Sequence, residues 1–308
     1  MAVALTTVGV VRNPRSHANR GQAAGGPVPA GVLWAEPDTP QDLAEAIARF
    51  ADAGVDLIVV DGGDGTVREV LSALPDVYGE APPVLAVLAS GKTNVLALDL
   101  GARPGWDLAA VLRQAQAPTY KLRAPMVVTW AGGEHAPVRG LIVGFGAFAR
   151  ATQMAHAVHR MGAYHNLSVA LTLAGAVVRT LFGRDESRWR RGVEAQVGID
   201  GGAPETHARF VLIATTLKRL PFGLKPFGVP REGMKVLDVA APPRKLAAVL
   251  PVVLRGGDDG WLAARGYARR LAERLAFQVD EAIVIDGEAF PGGEIEVRLG
   301  APMRFLAP

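Results

Sequence analysis

The chain has 308 residues, 49% hydrophobic and 20% charged, which supplies a substantial core and excludes a disordered, self-repelling polymer. With no cysteine it holds no disulfide scaffold, thiolate metal site or thiol nucleophile. Its 33 Lys and Arg against 30 Asp and Glu leave +3, too slight an excess to make nucleic acid the expected partner.

The first third alternates strand and helix signals. Thr7–Val11 is a short apolar run closed by Arg12-Asn13-Pro14, and Pro14 drives Asn13 out of the helical region. Thr39-Pro40 supplies an N-cap and a first-turn proline for an amphipathic helix over Leu43–Phe50, which Gly54 ends. Leu57–Val60 and Val84–Leu88 read as buried strands, Val67–Leu74 and Trp106–Gln114 as helices. This alternation predicts an α/β domain with a parallel sheet covered on both faces.

After Pro118 the pattern turns to short strands between Gly and Pro turns: Val127–Trp130, Leu141–Val143, Val193–Ile199, Phe210–Ala214, Val236–Val239 and Ala282–Ile285. Such spacing predicts a mostly antiparallel, β-sandwich-like second domain. A helical insertion is expected over 149–182, with a break near Gly162, and a further helix over Gly260–Leu275. Leu167–Val178 falls short of the roughly 18–20 residues of a membrane span. The apolar start lacks a basic n-region, so the expectation is a cytoplasmic protein without a secretory signal.

Asp61-Gly62-Gly63-Asp64-Gly65-Thr66 runs from the strand Leu57–Val60 into the next helix. Glycines let backbone amides approach an anion, and the helix N-terminus adds partial positive charge. A tight turn with solvated acids would also fit these residues. Gly91-Lys92-Thr93 lacks the earlier glycine of a Walker A loop, where Ala86 stands. Gly144-Phe145-Gly146-Ala147-Phe148-Ala149 lacks the acid and βαβ setting of a dinucleotide fingerprint. His156, His159 and His165 have no carboxylate nearby in sequence and are not expected to hold a metal.

Gly62-Gly63-Asp64-Gly65-Thr66 resembles the nucleotide-binding signature of the diacylglycerol kinase catalytic-domain superfamily, which also includes sphingosine, ceramide and NAD kinases. The likeness continues in Asn13-Pro14, Glu69, Gly91-Lys92-Thr93-Asn94, Gly144–Phe148, Leu237-Asp238-Val239 and Asp286-Gly287-Glu288. Arg68 and Val95 stand where the family usually has Asn and Asp. Arg231-Glu232-Gly233 stands where some bacterial members carry acids for a structural magnesium.

The resemblance implies a lipid kinase using ATP and Mg2+, with a nucleotide-binding domain at residues 1–122, strands of 291–308 returning to it, and a lipid-substrate domain at 123–290. The active site is expected in the cleft between them. Gly62, Gly63, Gly65 and Thr66 would hold phosphates; Asn13, Glu69, Thr93 and Asn94 would line the nucleotide site. Asp64 would serve magnesium or the transition state. Asp286 and Glu288 would stand near the transferred phosphoryl, Glu288 as general base. Diacylglycerol, ceramide or a sphingoid lipid would be the acceptor. A kinase of a soluble substrate such as NAD, and an inactive lipid- or nucleotide-binding module, are the rival readings.

Two basic-aromatic stretches, 181–191 and 218–227, are expected to meet the inner membrane surface peripherally, cations toward anionic headgroups and aromatics at the interface. A solvated basic loop would have the same composition. The sequence sets no oligomeric state.

Overall fold

The structure, a computed structural model, describes residues 4–21, 29–160 and 190–308. The first domain comprises β1 (Val8–Arg12), β2 (Val32–Ala35), α1 (Pro40–Asp52), β3 (Leu57–Gly62), α2 (Asp64–Tyr78), β4 (Val84–Ala89), α3 (Val95–Leu100), α4 (Leu108–Ala115) and β5 (Tyr120–Arg123). β6 (Met126–Trp130), β7 (Val138–Gly140), β8 (Ile142–Gly146), α5 (Ala147–Arg160), β9 (Val193–Ile199), β10 (Glu205–Thr215) and β11 (Met234–Ala240) follow. The chain ends with α6 (Leu246–Leu254), α7 (Asp259–Ala263), β12 (Tyr267–Ala272), β13 (Arg274–Val279), β14 (Ile283–Ile285), β15 (Glu288–Phe290), β16 (Gly293–Leu299) and β17 (Met303–Leu306).

Capping follows the sequence closely at α1. Thr39 accepts from the Asp42 amide, the Asp42 carboxylate accepts from the Thr39 amide, and Pro40 opens the first turn. The first sheet has the order β2-β1-β3-β4-β17-β5, parallel except where β5 runs against β17. Alternating residues feed two cores, as a doubly covered sheet requires. Val11, Ile58 and Val60 pack with Ile47 and Phe50 of α1 and with Val70 and Leu71 of α2. Val10, Leu57 and Val59 pack on the other side with Val111 of α4. Gly9 lies under the Phe50 ring, and a Cβ there would come within 2.7 Å of it.

The second domain is an antiparallel sheet that curls on itself, ordered β15-β14-β8-β10-β9-β13-β16-β6-β7, with β11 and β12 continuing from β10. Met126, Phe145, Leu212, Phe277 and Ile295 fill the inside of the curl. α6 and α7 cover β11 and β12 through Leu237, Val239, Val249, Leu262 and Tyr267. Of the tail, β16 belongs to this sheet, whereas β17 crosses back and lies between β4 and β5.

Two expectations change. The helix expected over Gly260–Leu275 is instead the short α7 followed by β12 and β13. Gly266, at φ +83, ends the helical turn. Pairing of β12 with β11 and of β13 with β16 and β9 then overrides the helix propensity of the Arg-, Leu- and Ala-rich segment. The helix expected over Val67–Leu74 starts earlier, at Asp64, inside the glycine loop. The expected insertion opens with α5; its remainder at 161–182, with the break near Gly162 and His165, lies outside the described residues.

Candidate active site

β3 delivers the first glycine loop at its carboxyl end, beside the loop that follows β4. These two loops touch through glycines: a Cβ on Gly91 would come within 2.5 Å of the Gly63 Cα. Backbone to backbone contact of this kind leaves no room for a side chain. The Asp61 carboxylate fastens the loops from behind, accepting from the Ser90 hydroxyl and, at 3.2 Å, from Asn19 Nδ2, with Arg12 Nε 3.4 Å away.

Asp64 is the first residue of α2 and faces the cleft between the domains. Thr93 Oγ1 donates to its Oδ2 at 2.9 Å, and the Leu96 amide lies 3.3 Å from its Oδ1. Across the cleft stands Asp286, in the left-handed region at φ 45. Its Oδ1 accepts from the amides of Leu141 and Ile142 at 3.1 and 2.8 Å, and its Oδ2 from Leu141 at 3.0 Å. Burial pushes the Asp286 carboxyl up to about 7; its amide donors and Arg68 pull the other way, and the Asp64 charge adds to the rise. Between the acids opens a cavity of about 680 Å³. Lys92 and Thr93 line its mouth with Asp64, while Val67, Leu96, Leu141, Phe148 and Leu217 give it apolar walls.

Glu288 is placed differently. It does not line this cavity; its carboxylate, 53% exposed, lies 2.5 Å from the buried Arg68 Nη2, and a Cβ on Gly65 would be 3.6 Å from its Oε1. Glu69 completes the cluster, 3.5 Å from Arg68 Nη2. Desolvation raises the Glu69 carboxyl above its ordinary value, against the pull of Arg68 and with a push from Glu288.

Thus Asp64, Thr93 and Asp286 converge on one cavity, and Gly62, Gly63, Gly65, Glu69 and Glu288 gather beside it. Three other expected residues do internal work. Thr66 is buried and accepts from Asn13 Nδ2 at 2.9 Å, while Asn13 Oδ1 accepts from the Arg15 amide. Asn94, at φ 49, accepts from the Gly91 amide and donates to the carbonyls of Ala89 and Gly91. These side chains hold the loops in shape, leaving backbone amides to face a ligand. Sequence reading missed the role of Arg68 and of the Leu141 and Ile142 amides. Only the departure from the usual Asn at 68 was visible.

Among the described residues no group of three or more His, Cys, Asp or Glu side chains could hold a metal ion by itself. Asp64 is a donor of another kind: one carboxylate at an open cleft beside a phosphate-type loop. That fits a magnesium ion held mainly by a nucleotide's phosphates and by water, with one protein carboxylate.

Residues 28–122 match the family model described as the diacylglycerol kinase catalytic domain. That segment is less than half of the chain, and it is similar to the diacylglycerol kinase catalytic domain. The chain is also 34% identical over 88 residues to the "Probable lipid kinase YegS-like" of Cronobacter sakazakii (strain ATCC BAA-894). That match spans 29% of this chain and 28% of the relative's length. The whole chain has the fold of the crystal structure of a diacylglycerol kinase from Bacillus anthracis str. Sterne, with a TM-score of 0.63, 15% identity and coverage of 100% and 98%. A second structure from that strain gives 0.65 at 17% identity, covering 100% and 99%.

Proposed function

We propose that this protein is an ATP-dependent lipid kinase that transfers the γ-phosphoryl group to a hydroxyl of a membrane lipid. The observation that carries this reading is the cavity itself, where the Asp64 end of the glycine loop and Asp286 meet over apolar walls. Its walls suit an acyl or sphingoid chain, and its acidic end suits an alcohol whose proton must leave. NAD, a charged and polar acceptor, would desolvate its groups against Val67, Leu96, Leu141 and Phe148 without compensation.

Phosphoryl transfer needs positioning and charge neutralisation more than covalent chemistry. The amides of Gly63, Asp64 and Gly65 at the start of α2 would cradle the phosphates, with the helix dipole behind them. Asp64 would hold magnesium, which when bound neutralises charge on the phosphate oxygens. Thr93 fixes the Asp64 rotamer by its hydroxyl. Asp286, held by two backbone amides, would accept the alcohol proton; a carboxyl poised near 7 is suited to that work. This moves the base from Glu288, which lies off the cavity beside Arg68, to Asp286.

No helix among the described residues is long and apolar enough to cross a membrane. In this reading the lipid is met peripherally, at the inner membrane surface. The test is transfer of labelled γ-phosphate from ATP with magnesium to micelles carrying diacylglycerol, ceramide, sphingosine or monoacylglycerol, with NAD in parallel. One labelled lipid supports the reading and names the acceptor; label in NAD alone overturns it.

A further inference from the structure

The segment after β10 leaves the cleft and forms the most exposed apolar point among the described residues. Leu217 lines the cavity, and a few residues later Phe222 is 97% exposed, in the left-handed region at φ 59, within a single 3-10 turn over Pro221–Gly223. A large aromatic ring held in solvent by a strained backbone has no structural use of its own.

The tip is rigidly mounted. At its start, Asp99 Oδ1 accepts from the amides of Lys218 and Arg219 at 3.1 and 2.7 Å, and Leu220 packs on the core of the first domain. At its end, the Lys225 amide donates to the Leu254 carbonyl, and Phe227 packs against the core under α6. The buried Arg269 guanidinium ties this end further, donating to the carbonyls of Pro226, Val253 and Gly257 at 2.7, 2.8 and 2.6 Å. The loop is thus fixed to both domains, and only 221–224 project. Around it Arg219, Lys225 and Arg255 are exposed cations, and Val229 adds a second apolar point at 66% exposure. Nearby acids are engaged: Glu232 pairs with Lys218, and Asp259 with Arg269 and Arg231.

We propose that the 218–229 loop is a preformed membrane anchor, in which Phe222 enters the headgroup region of an anionic bilayer beside the mouth of the cleft. Apolar burial and attraction of basic residues to anionic headgroups act together at such a surface. Of the other stretch expected to meet the membrane, 181–189 lies outside the described residues. Arg190 is buried and donates to the Pro243 carbonyl, so it does not face a headgroup.

The inference deepens the lipid-kinase reading but is tested without turnover. Sedimentation with vesicles of phosphatidylcholine, alone or with phosphatidylglycerol, is compared for the wild-type protein, Phe222→Asp, and Arg219→Glu with Lys225→Glu. The expected result is binding to the anionic vesicles only, weakened about tenfold or more in Phe222→Asp, since burial of one Phe side chain is of that size. The double charge reversal should lose the dependence on phosphatidylglycerol. Thermal midpoints should be unchanged, because these side chains touch no core. No binding by the wild-type protein, or equal binding by Phe222→Asp, would overturn the anchor. Intact vesicle binding with no phosphorylated lipid would instead leave the anchor standing and sink the kinase reading.

Discussion

Arg68 Nη2 lies 2.5 Å from Glu288 Oε2, joining α2 of the first domain to the β14–β15 hairpin of the second. The guanidinium is buried, sits 5.2 Å from the Phe290 ring centroid, and has one nitrogen, Nη1, without a hydrogen-bond partner. A buried cation so placed depends on its carboxylate partner. Arg68→Ala is expected to cost about 1–3 kcal/mol, discounted because Glu288 is half in solvent. A double-mutant cycle with Glu288→Gln in urea unfolding should show the two effects to be non-additive; strict additivity would mean the contact contributes nothing.

The Asp286 carboxyl, raised from 3.8 to about 7 by burial, makes a signed prediction for pH. As a base it must be ionised, so kcat should rise as pH increases through about 7, and Asp286→Asn should remove that limb together with most of the activity. In the folded protein the raised value means ionisation is disfavoured there. Its contribution to stability is therefore greatest below 3.8 and declines as pH rises to about 7. Relative to wild type, Asp286→Asn should gain stability across that window when unfolding is followed from pH 4 to 8. A variant equally destabilised at every pH would contradict the burial argument.

Gly91→Ala tests the contact between the two glycine loops. Its Cβ would meet backbone atoms of Gly63, which cannot move aside like a flexible side chain. Overpacking of this kind costs about 1–3 kcal/mol, and the displaced first loop should weaken nucleotide binding, measured by titration calorimetry, by about tenfold. Gly79→Ala, at φ +55 with nothing near its Cβ, controls for backbone strain away from the site and should leave nucleotide affinity unchanged.

The elements that carry the loops were legible because their signals are local. Thr39-Pro40 capped α1 and the apolar β3 led into Asp61–Thr66, whereas Asp286 and Glu288 stood out only through the family resemblance. What those residues do was less legible, since it depends on contacts between distant segments. Nothing near Asp286 in sequence announces the Leu141 and Ile142 amides that hold it, and nothing near Arg68 announces Glu288. Thr66 and Asn94 have the chemistry of ligands, but local geometry turns their side chains inward to brace the loops. The segment 260–275 shows the same limit in secondary structure, where strand pairing decided against helix propensity and turned Arg269 into a buried tie.

Asp99 ties the start of the 218–229 loop to the first domain. Its side chain is fully buried, paired with Arg123, and caps the Lys218 and Arg219 amides. Asp99→Ala leaves Arg123 unpaired in the interior and should cost about 3–5 kcal/mol. Hydrogen exchange should then speed up at the amides of 218 and 219, with β9 and β13 unaffected; unchanged protection there would show that Asp99 does not hold the loop.

The central claim is that the Asp64 end of the glycine loop drives phosphoryl transfer from the cleft. The most direct measurement is the initial rate of lipid phosphorylation by the wild-type protein and Asp64→Asn, side by side, with the fold of both checked by circular dichroism. The account predicts a loss of about a thousandfold or more in kcat for the variant, the scale of removing a group that stabilises transition-state charge. A well-folded Asp64→Asn protein that turns over at the wild-type rate would contradict it.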